Sequence, residues 1–153
     1  MKKIMWLFSV VFIFALPSCE KDEQPAGATD FDKEILNIIN TYRKSKGLVA
    51  LEYNLVIWKE ANIHSKNMAA KTVPFGHDGF YDRVEKILAD LGGGNGSAEN
   101  VAYGYPTAQE VVDGWLSSAG HKANIEGNYT LSALSAVMDK DGTYYYTQIF
   151  IKK

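Results

Sequence analysis

Apolar positions recur along this chain in two periods, and the change from one to the other separates a helical body from a β-rich end. From Phe31, the residues Ile35, Ile38, Ile39 and Tyr42 return at three- and four-residue spacing, which predicts an amphipathic helix. Asp30 or Asp32 is placed to cap its start and Gly47 to stop it. Leu48 and Leu51 carry an apolar connection to Asn54, a favoured N-cap residue. The helix it opens sets Ile57, Ala61, His64 and Met68 on one stripe, with Leu55 and Trp58 beside it. Tyr81, Val84, Ile87, Leu88 and Leu91 predict a third, short helix over about 78–90, ended by Gly92, Gly93, Gly94, Asn95 and Gly96. A fourth begins at Thr107, with Glu110 three residues on as a capping box, and buries Val111, Val112, Trp115 and Leu116 before stopping just short of Gly120.

The remaining apolar positions follow the period of a strand. Glu99, Asn100, Val101, Ala102 and Tyr103 form a small, β-branched run, and 131–138 and 143–151 are strands joined by the turn Asp139-Lys140-Asp141-Gly142. In the last strand Tyr144, Tyr146, Gln148 and Phe150 share one face while Tyr145, Thr147, Ile149 and Ile151 share the other. Both faces are apolar enough to be covered, so helices are expected on each side of the sheet.

The first residues obey neither period. Lys2 and Lys3 precede an uncharged apolar run from Ile4 to Leu16, the layout of an export signal, and its thirteen residues fall short of the roughly 20 that span a bilayer. Leu16-Pro17-Ser18-Cys19 follows and resembles a bacterial lipobox. The resemblance implies cleavage before Cys19 and acylation of its thiol, giving a signal over 1–18, an acylated Cys and polar tether over 19–30, and a single domain over 31–153. Membrane attachment would then run through Cys19, on the periplasmic side of an outer membrane or at the cell surface. As the chain's one cysteine, Cys19 excludes an intramolecular disulfide.

Charge narrows the partners. Without Lys2 and Lys3 the chain keeps 14 basic side chains against 18 acidic ones, and the basic residues are scattered. Nucleic acid, which demands a basic patch, is excluded as a partner. The glycine run at 92–96 is not a phosphate loop, because it lacks the Lys-Ser/Thr that follows one and leads into a strand.

Candidate chemistry concentrates on histidines and one carboxylate. His64 lies on the apolar stripe of its helix and is read as a neutral, hydrogen-bonded core histidine. His77 sits in the loop Phe75-Gly76-His77-Asp78-Gly79-Phe80, where a rigid scaffold can aim a side chain. Glu99 and His121 lie within one dense stretch, 98–125, on adjacent elements that can meet. Ser118 and His121 would be i, i+3 neighbours if the fourth helix continued past Ser118, and with Glu99 they supply the parts of a Ser-His-acid triad.

These residues resemble the CAP superfamily of cysteine-rich secretory proteins, antigen 5 and pathogenesis-related 1 proteins, in its bacterial branch. The likeness runs from about Ile35 to Phe150 and is carried by Asn40-Thr41-Tyr42-Arg43, His64, His77, Glu99-Asn100-Val101-Ala102-Tyr103-Gly104, the run 115–125 with His121, and Tyr145-Tyr146-Thr147-Gln148-Ile149-Phe150. It implies an α+β fold, a three-layer α-β-α sandwich with a mainly antiparallel sheet, around a cleft with a tetrad of two His and two acids. His77, Glu99 and His121 match three of the four, and Ser118 stands near the position of the second acid. Two functions follow as expectations. One is a non-enzymatic binding module whose His/Glu cleft holds a divalent, zinc-like cation through His77 and His121, or a lipid, glycan or protein ligand. The other is an envelope hydrolase acting on peptide or peptidoglycan through a metal-activated water or through Ser118, His121 and Glu99. The alternative to both is a Glu99-centred hydrogen-bond cluster supported by Asn100 and Asn124.

Overall fold

The computed structural model describes residues 27–153, so the expected signal, Cys19 and most of the tether lie outside the described residues. Helix α1 spans Asp30–Ser45, and its N-cap is Thr29 rather than either aspartate. Asp32 is instead the third residue of a capping box: its carboxylate accepts from the Thr29 N–H at 2.9 Å while the Thr29 hydroxyl accepts from the Asp32 N–H at 3.1 Å. Gly47, at φ +73°, follows the helix as expected of a residue that must turn the chain left-handed. The connection to the next helix contains a short strand, β1, Glu52–Tyr53, which the apolar pattern does not signal.

Helix α2, Leu55–Ala69, starts at Asn54, whose side chain accepts from the N–H groups of Val56 and Ile57. All four stripe residues, Ile57, Ala61, His64 and Met68, are buried. Helix α3, Phe80–Leu91, buries Arg83, Val84 and Ile87, while Tyr81 turns out into solvent, 83% exposed, against the sequence expectation. Strand β2, Gly96–Tyr103, leads to α4, Ala108–Ser117, where Thr107 is the N-cap as predicted. The Glu110 carboxylate accepts from the Thr107 hydroxyl, not from its backbone, so the box is only half formed. Helix α4 stops at Ser117, and a separate seven-residue helix, α5, Ala119–Ile125, follows Ser118. Strands β3, Leu131–Met138, and β4, Tyr144–Lys152, close the chain as an antiparallel hairpin.

The sheet order is β1-β3-β4-β2. It is mixed rather than wholly antiparallel, because β1 runs parallel to β3 over two residues while β2 and β3 both run antiparallel to β4. Helices α1, α4 and α5 cover one face around Ile35, Ile39, Trp115, Tyr146 and Phe150. Helices α2 and α3 cover the other around Ile57, Trp58, Ile87, Ile149 and Ile151. This is the three-layer α-β-α sandwich, and the two-faced last strand is its centre. Burial of such side chains, each contributing about 1.5–3 kcal/mol, supplies the driving force.

Two buried charged residues lock the first helix to this frame. Asp32 also accepts from the Trp58 indole N–H at 3.1 Å and from the Ala136 N–H at 2.8 Å, so one carboxylate joins α1, α2 and β3. Arg43, 2% exposed, donates to the carbonyls of Val49, Ile125, Gly127 and Tyr129. Its four acceptors lie on the two chain segments that flank the end of α1, which makes it a peg for the connection between α5 and β3.

Candidate functional site

The site is built around Glu99 on the edge strand β2. Its carboxylate lies in the protein interior, and burying it alone would cost several kcal/mol. Arg83 of α3 supplies the charge that prevents this, with Nη2 at 2.8 Å from both Oε1 and Oε2 and Nε at 3.0 Å from Oε2. His77 Nδ1 lies 2.9 Å from Oε1. A carboxylate accepts and does not donate, so the Nδ1 proton of this bond belongs to His77. The imidazole is half exposed, while Glu99 is 6% exposed beneath it.

The loop that carries His77 is held from both ends. Arg83 Nη1 donates to the Asp78 carbonyl at 2.7 Å, and His64 Nε2 donates to the Gly76 carbonyl at 2.9 Å. His64 is therefore the buried, hydrogen-bonded histidine expected of its helix face, with the added task of fixing this loop. Burial holds its pKa below the ordinary imidazole value, the Gly76 bond opposing that shift in part.

His121 reaches the site from the other side of β2. Helix α5 is docked on the strand by two asparagines: Asn124 Nδ2 donates to the Glu99 carbonyl at 3.2 Å and to Asn100 Oδ1 at 2.9 Å, and Asn100 Nδ2 donates to the His121 carbonyl at 3.2 Å. The supporting role expected of Asn100 and Asn124 is thus observed. Burial, and then the proximity of His77, hold the His121 imidazole below its ordinary pKa, so both effects favour its neutral form. Beside it a cleft of roughly 370 Å³ is lined by Phe75, Val101, Tyr103, Tyr105, Ser118 and His121, among others.

Two expected arrangements are not assembled. Among the described residues no hydrogen bond joins the His121 ring to Ser118 or to the Glu99 carboxylate, whose oxygens are engaged by Arg83 and His77. The reason lies at Ser118, whose extended backbone (φ −95°, ψ 121°) breaks the helix and ends the i, i+3 relation with His121. The zinc-like site fares no better. Among the described residues no group of three His, Cys, Asp or Glu side chains is placed to share a cation, and Glu99 is spent on a guanidinium. That leaves two imidazoles, fewer than the three or four protein donors of a resident zinc, so the residues do not fit one.

Arg83 is the functional residue that the sequence reading missed. Its place four residues before Ile87 puts it on the buried side of α3, but its charge gives the opposite indication.

Comparison with known proteins agrees with this architecture. The sequence profile of the cysteine-rich secretory protein family, CAP, matches residues 36–150. The uncharacterised membrane protein YlbC of Bacillus subtilis is 34% identical over 131 residues, which are 82% of this chain and 35% of that protein. The crystal structure of an extracellular protein containing an SCP domain from Bacillus anthracis superposes with a TM-score of 0.66 at 27% identity, over 79% of this chain and 40% of the other. An outer surface protein of Borrelia burgdorferi has the same fold, with a TM-score of 0.67 at 20% identity over 82% of this chain and 96% of the other. The chain thus spans 35% and 40% of the lengths of the first two relatives. No helix among the described residues is long and apolar enough to cross a membrane.

Proposed function

The chain belongs to the cysteine-rich secretory protein (CAP) family, and from that premise we propose that it is a cell-envelope binding module, anchored through lipid on Cys19, whose cleft beside β2 recognises a ligand without turning it over. The observation that carries this reading is the state of Glu99. Both of its oxygens are held by Arg83, and one also by His77, so it serves as a rigid post that aims His77 rather than as a general acid or base. A hydrolase built on Ser118, His121 and Glu99 would need this carboxylate to leave Arg83 and cross to His121. Relatives described as an extracellular protein, an outer surface protein and a membrane protein support an envelope location.

Native mass spectrometry of residues 20–153, which contain both cores entire, tests the proposal beside the His77→Ala/His121→Ala variant. Wild type from its native host is expected to retain a bound molecule that the double variant has lost. Identical spectra with nothing bound in either would sink the reading.

A further inference from the structure

Among the described residues strand β2 is an edge of the sheet, with β4 on one side and no strand on the other. Its pairing fixes which backbone groups face outward. The Gly104 N–H bonds to the Tyr144 carbonyl, and in an antiparallel ladder such exchanges recur at every second residue. Asn100 and Ala102 therefore bond to Gln148 and Tyr146 of β4, whereas Glu99, Val101 and Tyr103 turn their N–H and C=O groups outward. An open row of this kind is a template for another strand.

The protein plugs two carbonyls of that row itself. Asn124 Nδ2 occupies the Glu99 carbonyl and the Trp115 indole N–H occupies the Val101 carbonyl at 3.3 Å. Both plugs are donors, so they satisfy carbonyls and leave the amides untouched. Among the described residues nothing bonds to the N–H of Val101 or to either backbone group of Tyr103. The groups left open, the Val101 amide and the amide and carbonyl of Tyr103, belong to residues of the cleft wall. Tyr103 is 55% exposed, its ring packed edge-on against Phe75 at 4.8 Å and stacked on Tyr145 at 5.8 Å.

The geometry points to an extended polypeptide as the occupant of this cleft, bound by strand addition to the edge of β2 at Val101 and Tyr103. The complement of an unpaired strand amide and carbonyl two residues apart is the backbone of a second strand, which offers the same groups at the same repeat. A lipid tail has no such groups. Successive side chains of the added strand alternate between the two faces of the sheet. One set meets the Phe75 and Tyr103 rings and is apolar or aromatic, and the other meets His121, Ser117 and Ser118 and is polar. This inference rests on the reading of the cleft as a binding site and narrows its ligand to a protein segment.

The test uses random seven-residue peptides, acetylated and amidated, displayed on beads and selected with residues 20–153. The best binder is resynthesised with one backbone N-methyl group at each position in turn. The Tyr103 carbonyl is the one open acceptor of the length from Val101 to Tyr103, so strand addition predicts that methylation weakens binding at least tenfold at the single position whose amide meets it and little at the positions on either side. Tyr103→Pro removes the outward amide on an edge strand, where proline is tolerated, and is expected to bind at least tenfold more weakly than Tyr103→Ala, which keeps it. Should Tyr103→Pro fail to fold, judged by circular dichroism, the methylation series decides alone. No selected peptide, no single position sensitive to methylation, or equal binding by the two folded Tyr103 variants overturns the inference. A molecule seen by native mass spectrometry and lost in the histidine variant, together with no peptide binding, leaves the cleft reading standing and removes this one.

Discussion

At the scale of single residues, the charged groups of the interior divide by what they hold. Arg83 and Glu99 neutralise each other between α3 and β2, and the pair matters most when one member is missing. Arg83→Leu is expected to destabilise the fold by about 3–5 kcal/mol, because it leaves a buried carboxylate with only His77. Arg83→Leu/Glu99→Leu should recover much of that loss in urea denaturation. A single variant within about 0.5 kcal/mol of wild type would show that the carboxylate finds water instead. His64 makes a different prediction. Its folded pKa is depressed by burial, so the unfolded chain binds more protons in the window below about pH 6.5, and stability falls as the pH drops through it. His121, depressed in the same direction, adds to the effect. The Tm of wild type is expected to fall between about pH 7.5 and 5, and by less in His64→Gln. An equal fall in both would assign the acid sensitivity elsewhere.

At the scale of elements, periodicity decided what could be read in advance. The four-residue stripe of α2 was legible because all four residues are buried, and the two faces of β4 because Tyr146 to Ile151 are buried against the layers that their alternation indicates, with Tyr144 and Tyr145 half-buried at the strand's start. Arg83 was not, because an arginine on an amphipathic helix ordinarily reads as its solvated side, and only its carboxylate partner sixteen residues on reverses that. The stop of α4 just short of Gly120 was legible, but the separate helix α5 that follows was not, because what holds it is its docking on β2 through Asn100 and Asn124. Gly114 carries a further tertiary constraint of this kind. A Cβ there would overlap the Tyr105 hydroxyl, so Gly114→Ala is expected to cost about 1–3 kcal/mol despite alanine's better helix propensity. In a Tyr105→Ala background the same change should become neutral or stabilising by up to about 1 kcal/mol. A cost that persists there would place the clash elsewhere.

At the scale of the whole molecule, the sandwich leaves one sheet edge minimal and the other long. The β1 edge is two residues long, whereas β2 is eight residues long, carries Glu99 and faces the cleft. The anchor proposed at Cys19 is tested on a chain that keeps this residue: wild type in its native host is expected to take up labelled fatty acid and partition with membranes, and Cys19→Ala to do neither. Uptake by the variant would end the lipobox assignment.

Asp32 gives such an attachment a mechanical meaning. Any pull on the residues before Gly27 enters the domain at the first turn of α1, where Thr29 is bonded to the same carboxylate that grips the Ala136 amide and the Trp58 indole. The load is therefore passed into the middle strands and the helix behind them before it can unwind α1. Asp32 works as a strain relief, and a domain held by one end can be tugged without its cleft, on the opposite sheet edge, feeling the force first.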